Sequence, residues 1–447
     1  MSQTTKRLTG AAAFLLPTLC LMAAGAANAQ DAAAALLGHQ AALELDSAGA
    51  SWLGTSTALV LLMTLPGLAL FYGGMVRKKN VIATITQSVG VFAVVSLVWF
   101  IAGYSLAFGK NESAGLQPFI GSLDMLFLNG VSLKTANALL PGIPEFLFIS
   151  FQMTFAIITP ALITGAFAER FKYSALLLFT ALWSLLVYAP ICHWVWGGGF
   201  LGSAGVLDFA GGAVVHVNSG VAGLVCAIFL GRRKGYGTEV ITAHNPVLTM
   251  IGASLLLVGW IGFNAGSAGA ANDLMGVALL NTILAAAAAA LTWKVVEYIE
   301  KKKVSLIGVL SGVVAGLVAI TPAAGFVDPK GAVIIGLIAG PACYASSVWI
   351  KKLLRYDDSL DAFGIHGAGG LIGALLTGVF ATTAINSLSE GANVGAQALG
   401  LLWTIVYSAV GTLIILFICK FTTGLRVSEA EEAAGLDTSL HGEALEH

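Results

Sequence analysis

Eleven long apolar stretches run along the chain, separated by shorter connections that hold most of its charge. They span 52–76, 81–109, 146–168, 174–196, 209–231, 245–272, 274–293, 304–327, 331–350, 362–389 and 391–419. Each reaches the ~20 residues that a helix needs to cross a hydrocarbon core. Only a helix or a closed barrel satisfies its own backbone there. The pattern predicts an all-α membrane protein of eleven transmembrane helices.

Counting the stretches alternately puts Arg77-Lys78-Lys79, Arg170 and Lys172, Arg232-Arg233-Lys234, Lys301-Lys302-Lys303, Lys351-Lys352 with Arg355, and Arg426 on one side, against Lys110, Lys134 and Lys330 on the other. The base-rich side is expected to be cytoplasmic, which places the mature N-terminus outside and the C-terminus inside. Residues 1–29 have the layout of a cleaved signal peptide: Lys6 and Arg7, an apolar core, then Ala27-Asn28-Ala29. A short external segment over 30–51 precedes the transmembrane domain, 52–423, and a cytoplasmic tail, 424–447, follows it. Eleven spans divide as five, five and one. Repeat one covers about 52–231, repeat two about 245–389, and the eleventh helix about 398–423. An odd number of spans per half makes the halves antiparallel, as in inverted-repeat transporters. The fifth and tenth stretches echo each other: Asp208, His216, Gly220 and Gly223 in one, Asp361, His366, Gly370 and Gly373 in the other, sharing His-x3-Gly-x2-Gly.

Composition narrows the function further. Charged residues make up 10% of the 447 positions and apolar ones 57%, too few polar groups to clothe a soluble domain. A net charge of -1 offers no basic field for nucleic acid. The five cysteines form neither close pairs nor a metal-ligand spacing, no HExxH pattern is present, and no cofactor, metal or enzymatic chemistry is expected. The 54 glycines, many at small-xxx-small spacing such as Gly312/Gly316, predict close helix packing.

Ionisable side chains within spans are costly, so His216 and His366 require a reason. Each has two readings, a neutral core histidine bonded to a carbonyl or a group lining a path; their matching repeat positions favour a pair. Ruler placement puts each near the start of its own span, on opposite sides, so they meet only if both helices begin deep. Phe151, Phe155, Trp194, Trp196, Phe209, Trp260 and Phe263 fit an interfacial belt or packing, or a cation-π cage for a small cation, to which Ser267 adds a hydroxyl. Asp208 reads as a helix cap or as a source of long-range attraction for cations.

Five segments carry a family resemblance: Pro66-Gly67-Leu68-Ala69-Leu70-Phe71-Tyr72-Gly73-Gly74, Gly165-Ala166-Phe167-Ala168-Glu169-Arg170, Asp208-Phe209-Ala210-Gly211-Gly212-Ala213-Val214-Val215-His216, Gly259-Trp260-Ile261-Gly262-Phe263-Asn264-Ala265-Gly266-Ser267, and Asp361-Ala362-Phe363-Gly364-Ile365-His366-Gly367. With them the chain resembles the bacterial branch of the ammonium transporter (Amt/Mep/Rh) family across nearly all of its mature length. Met153 and Ser219 are modest departures. The resemblance implies a homotrimer of eleven-helix subunits in the bacterial plasma (inner) membrane, each with its own pore for ammonium, ammonia and methylammonium. It implies that Phe155, Trp196 and Ser267 recruit ammonium with Asp208 in support, that Phe155 and Phe263 form a gate, and that His216 and His366 are the pore histidines. Phe151, Gln152 and Trp260 are additional pore-region candidates. The tail, with Gly424-Leu425-Arg426-Val427, Gly435-Leu436-Asp437 and His441-Gly442-Glu443, resembles that of family members blocked by a PII-type nitrogen regulatory protein. The expected mechanism is deprotonation of NH4+ and passage of NH3 through the histidine-lined pore; whether the proton crosses too, by way of the histidine pair, is left open by the sequence. The alternative is an ammonium sensor; such members carry an added signalling domain, for which the 26 residues after Phe421 are too short.

Overall fold

The computed structural model describes residues 44–445; the expected signal peptide, 1–29, lies outside them. Among the described residues no strand forms. Ten helices are long and apolar enough to cross a membrane: α1 Ser47–Met75, α2 Lys78–Phe108, α3 Glu145–Phe167, α4 Tyr173–Ser203, α5 Gly212–Leu230, α6 Pro246–Ala265, α7 Asp273–Lys301, α9 Pro329–Leu354, α10 Phe363–Phe380 and α11 Val394–Thr422. The expected eighth span is a shorter apolar helix, α8, Leu306–Ile320. At 1.5 Å per residue its 15 residues cover about 22 Å, short of the ~30 Å core. The first helix begins at Ser47 rather than at residue 52, because Asp46 accepts the Gly49 N–H at 2.9 Å and so caps the chain earlier.

Polar residues placed just ahead of the apolar runs decide where five of the other helices begin. Asn245, Asn272, Ser305, Asp328 and Asn393 each accept an N–H from the first turn of α6, α7, α8, α9 and α11. Those N–H groups have no partner within the helix, and each cap contributes about 1 kcal/mol. Between α7 and α8, Gly312 packs against Trp293 and Ala290, close enough that a Cβ would sit 2.7 Å from the Trp293 Cβ.

The packing repeats itself. α2 packs on α3 and α4, and α3 on α5; in the same way α7 packs on α8 and α9, and α8 on α10. The two sets join through α1 against α6 and α5 against α10, while α11 lies along α4, α5 and α10. The long connection between α2 and α3 is an ordered cap. The Trp194 indole N–H donates to the Phe119 carbonyl at 2.8 Å, and the buried Glu145 carboxylate accepts from Asn137 at 2.8 Å and from the Tyr104 hydroxyl.

Beyond α11 the chain returns to the base-rich face. Residues 425–427 pair with 170–172 through Lys172 N–H to Leu425 O at 2.8 Å and Val427 N–H to Arg170 O at 3.1 Å. A short helix, α12 Glu429–Ala434, follows. The Asp437 carboxylate then accepts the Ala83 N–H at 2.8 Å, near the start of α2, and Asn80 accepts the Leu436 N–H at 2.8 Å.

Candidate functional site

Two buried aspartates set the centre of the molecule. Asp208 accepts four backbone N–H groups, from Gly211 at 2.8 Å, Gly212 at 2.6 Å, Ala213 at 2.8 Å and Val214 at 3.0 Å. Gly211 takes a left-handed conformation, φ 111°, and its carbonyl accepts from both Val215 and His216, so α5 opens with a wide first turn. In the other half Asp358 accepts the N–H groups of Ala362 at 3.0 Å and Phe363 at 2.8 Å. Asp361 is left-handed, φ 59°, and its carbonyl accepts from Ile365. Asp208 precedes His216 by eight positions and Asp358 precedes His366 by eight. The partner of Asp208 is therefore Asp358, not Asp361 as the sequence suggested; Asp361 stands where the first half has Gly211, and its carboxylate pairs with Lys351. Burial and the Asp361 charge push the Asp358 carboxyl above the usual carboxylate range, and Lys351 only partly offsets them.

Each cap starts its helix inside the protein, so both histidines arrive at the same depth. Their Nδ1 atoms lie 3.3 Å apart and their rings stack at 20° with centroids 5.3 Å apart. The repeated glycines make this approach possible. A Cβ at Gly220 would strike the Gly367 backbone, and one at Gly370 would come within 2.8 Å of Gly212 O and 3.1 Å of the His216 Cβ. Each glycine sits one turn after its own histidine, on the same helix face, and so admits the other half's histidine turn. A neutral imidazole has one donor and one acceptor nitrogen, so the Nδ1 contact shares a single proton and each Nε2 is left to face elsewhere. His216 Nε2 is buried with no partner.

From the histidines a file of aromatic rings leads to one surface. Trp260 stacks on His216 at 22° and 5.3 Å, and its indole N–H donates to Thr321 Oγ1 at 2.9 Å. Phe263 lies 5.9 Å from His216 and stacks on Phe155 at 24° and 4.2 Å. Phe155 in turn meets Trp196 edge-on at 5.8 Å and Phe151 at 5.0 Å. Above these rings opens a cavity of about 350 Å³ whose lining includes Phe155, Trp196, Ser267, Gln152 and Phe209. The Ser267 hydroxyl donates to the Phe263 carbonyl at 2.8 Å, which leaves its oxygen lone pairs free to accept. Gln152 Oε1 is a second acceptor, buried without a partner. The Trp196 indole N–H donates to the Asp208 main-chain carbonyl at 2.8 Å, so one aspartate orients the tryptophan by its backbone and begins α5 by its side chain. Trp194 turns away, against Tyr407 and Phe200.

Asp358 and Thr321 were not among the expected site residues, and a signal in the sequence exists for one of them. Asp358 had one, the eight-residue spacing. Thr321 had none. Glu169, Arg233 and Asp357 form a buried ionic cluster at the base-rich face: Glu169 pairs with Arg77 at 2.8 Å and Arg233 at 3.0 Å, and Arg233 pairs with Asp357 at 2.9 Å. Burial pushes both carboxyls up, but the guanidiniums outweigh it and hold them below the usual range. Burial likewise lowers Arg170, 3.9 Å from Asp357, to about 10.

The chain is similar to known proteins over most of its length. A family model described as Ammonium Transporter Family matches residues 51–445. The ammonium transporter of Aquifex aeolicus (strain VF5) is 48% identical over 406 residues, which cover 90% of this chain and 93% of that protein. The crystal structure of Saccharomyces cerevisiae Mep2 superimposes with a TM-score of 0.79 at 36% identity, covering 86% of this chain and 88% of that one. A structure titled Sensor Amt Protein gives a TM-score of 0.80 at 32% identity, covering 88% and 98%.

Proposed function

This chain belongs to the ammonium transporter family, and on that premise we propose that it takes up NH4+ in the Trp196 cavity, where the cation gives a proton to the water of the cavity and is left as NH3, and that it conducts the NH3 past the histidine pair. The observation that carries the proposal is the unbroken file from Trp196 through Phe155 and Phe263 to His216 and His366. In the cavity the cation meets the faces of Phe155 and Trp196 and the acceptor oxygen of Ser267, with Gln152 Oε1 as a further acceptor. Phe151 backs the Phe155 ring, and Asp208 holds Trp196 in place.

Below the cavity the stacked Phe155 and Phe263 rings are the gate, and the balance of energies decides which species passes. Moving a small ion from water to a medium of low dielectric constant costs on the order of 20 kcal/mol. A neutral polar group costs roughly 2–7 kcal/mol without hydrogen bonds, and the imidazole nitrogens recover part of that. NH4+ reaches the cheaper route by losing a proton, whereas K+ has none to lose. Trp260 forms the wall that keeps His216 in its plane.

The same reading makes the base-rich face cytoplasmic, with the N-terminus outside, and makes the two packing sets an inverted repeat of five spans each, with α8 as the eighth of eleven spans and α11 as the last. It assigns the protein to the bacterial plasma membrane as a homotrimer with a PII-type regulator at the docked tail. Substrate-evoked current in proteoliposomes, read alongside methylammonium uptake, tests the proposal. His216→Leu and His366→Leu are each expected to abolish uptake while the oligomer stays intact on gel filtration. Uptake at the wild-type rate in both variants would refute it, and K+ current appearing in either would show that the pair enforces deprotonation.

A further inference from the structure

A cleft of about 530 Å³ opens at the base-rich face between the connection after α5 and the end of α9, lined by Arg232, Tyr236, Thr238, Lys351, Lys352 and Arg355. The carboxylates around it are committed elsewhere. Glu169 and Asp357 belong to the ionic cluster, Asp358 caps α10, Asp361 holds Lys351, and Glu432 holds Arg426. Glu239 folds back over Gly235. Glu300, a carboxylate near Lys352, accepts from the Tyr344 hydroxyl at 2.7 Å and the Trp349 indole at 2.9 Å. Among the described residues Arg232, Lys352 and Arg355 therefore share one concave site and none of the three is in an ion pair.

We propose that this cleft binds a phosphate group. The Arg232 side chain is already held in position: its Nε donates to the Arg355 carbonyl at 2.9 Å, its guanidinium carbon lies 5.9 Å over the Tyr236 ring, and the Tyr236 hydroxyl is anchored on Tyr356 O at 2.9 Å. The terminal nitrogens of that fork remain free, and a guanidinium fork matches phosphate oxygens two at a time. Lys352 and Arg355 add two more positive charges around the same space. The flank of the cleft is apolar: Trp349, Leu353 and Leu354 at the end of α9 are 48%, 78% and 66% exposed. A lipid headgroup in the cleft lets its acyl chains lie along that surface, and basic pockets beside spans bind acidic headgroups in this way. The occupant also touches the pore's support. Arg355 and Lys351 bracket residues 355–361, the segment that carries the Asp358 cap, and α10 with His366 starts immediately after it. A bound phosphate restrains that segment without entering the pore.

Calorimetric titration of the full chain in detergent tests this apart from transport, with dihexanoylphosphatidylglycerol, dihexanoylphosphatidylcholine and inorganic phosphate as probes. The glycerol lipid is expected to bind and the choline lipid not. Each Lys or Arg near a charged surface is worth about fivefold in affinity, so Lys352→Gln is expected to weaken binding about fivefold and Arg232→Gln/Arg355→Gln roughly 25-fold. Lys302→Gln/Lys303→Gln, on the turn between α7 and α8, is expected to leave it unchanged. Binding of inorganic phosphate with the same dependence on these variants supports the site and makes its source a soluble anion; binding of the lipid alone supports it and makes the source the membrane. Lys352 is exposed, so its variant keeps the test valid if the double variant fails to fold. The proposal is overturned if neither the glycerol lipid nor inorganic phosphate binds, if the choline lipid binds as tightly as the glycerol lipid, or if binding responds equally to the Lys302/Lys303 pair and to the cleft residues.

Discussion

Truncating Asp208 to alanine leaves the N–H groups of Gly211, Gly212, Ala213 and Val214 without the carboxylate that now accepts all four. All four residues are buried. A buried donor left unpaired costs about 1–3 kcal/mol, so the loss is about 4 kcal/mol at the low end, well above the ~1 kcal/mol of an ordinary cap. That is a large share of a typical folding free energy of about 5–15 kcal/mol. The helix start is therefore expected to shift toward water, carrying His216 away from His366. Asparagine at the same site keeps one acceptor oxygen for two of the four donors and turns an NH2 group toward the others. Asp208→Asn is thus expected to be intermediate in thermal stability and to retain some methylammonium uptake, while Asp208→Ala loses both. If the carboxylate acted only by attracting cations from a distance, the two variants would share a raised KM, an unchanged maximal rate and wild-type unfolding temperatures. That pattern in a dye-based unfolding assay and an uptake assay would refute the capping argument.

Three further outcomes follow from the same geometry. Gly220→Ala places a methyl group against the Gly367 backbone; overpacking costs about 1–3 kcal/mol, and uptake is expected to fall far more than the amount of folded protein, as compared on one membrane preparation. Glu169 and Asp357 have carboxyls held below their ordinary values in the folded state, so they add stability at pH values above about 4, the ordinary carboxylate range, and that stability is lost as pH falls through the lower folded values. Glu169→Gln, which takes one charge from a buried pair and leaves the guanidiniums less compensated at a cost of about 3–5 kcal/mol, is expected to lower the unfolding temperature at pH 7 and to flatten its decline in acid; an unchanged acid limb would remove Glu169 from the cause. Arg426 donates to Leu230 O at 3.0 Å and Arg232 O at 2.7 Å and pairs with Glu432 at 2.7 Å. Arg426→Ala is expected to raise amide hydrogen exchange over 425–441 with no change in α7 or α9, and equal exchange in both proteins would count against tail docking through this residue.

The helices were legible because burial in lipid writes itself as length: an apolar run of sufficient size has few other structures open to it. α8 is the exception. Its apolar pattern runs over 304–327, but Pro322 follows the helix closely, and the Pro322 carbonyl accepts from Phe209 rather than continuing a helical turn. The aromatic and histidine residues were legible one at a time, as costly or bulky groups in apolar surroundings. Their meeting was not, because distance along a span assumes that a helix begins at the membrane surface. Here the beginning is set by where a carboxylate gathers the first N–H groups, and both carboxylates lie inside the protein, Asp208 6% and Asp358 1% exposed. The choice of Asp361 as the repeat partner shows the limit from the other direction. It stands nearer to His366 in sequence, but a residue at φ 59° turns the chain instead of capping it. Counting eight positions back from each histidine finds both caps without coordinates, so the depth of the pair was encoded in the spacing, and only the physical meaning of that spacing required the fold.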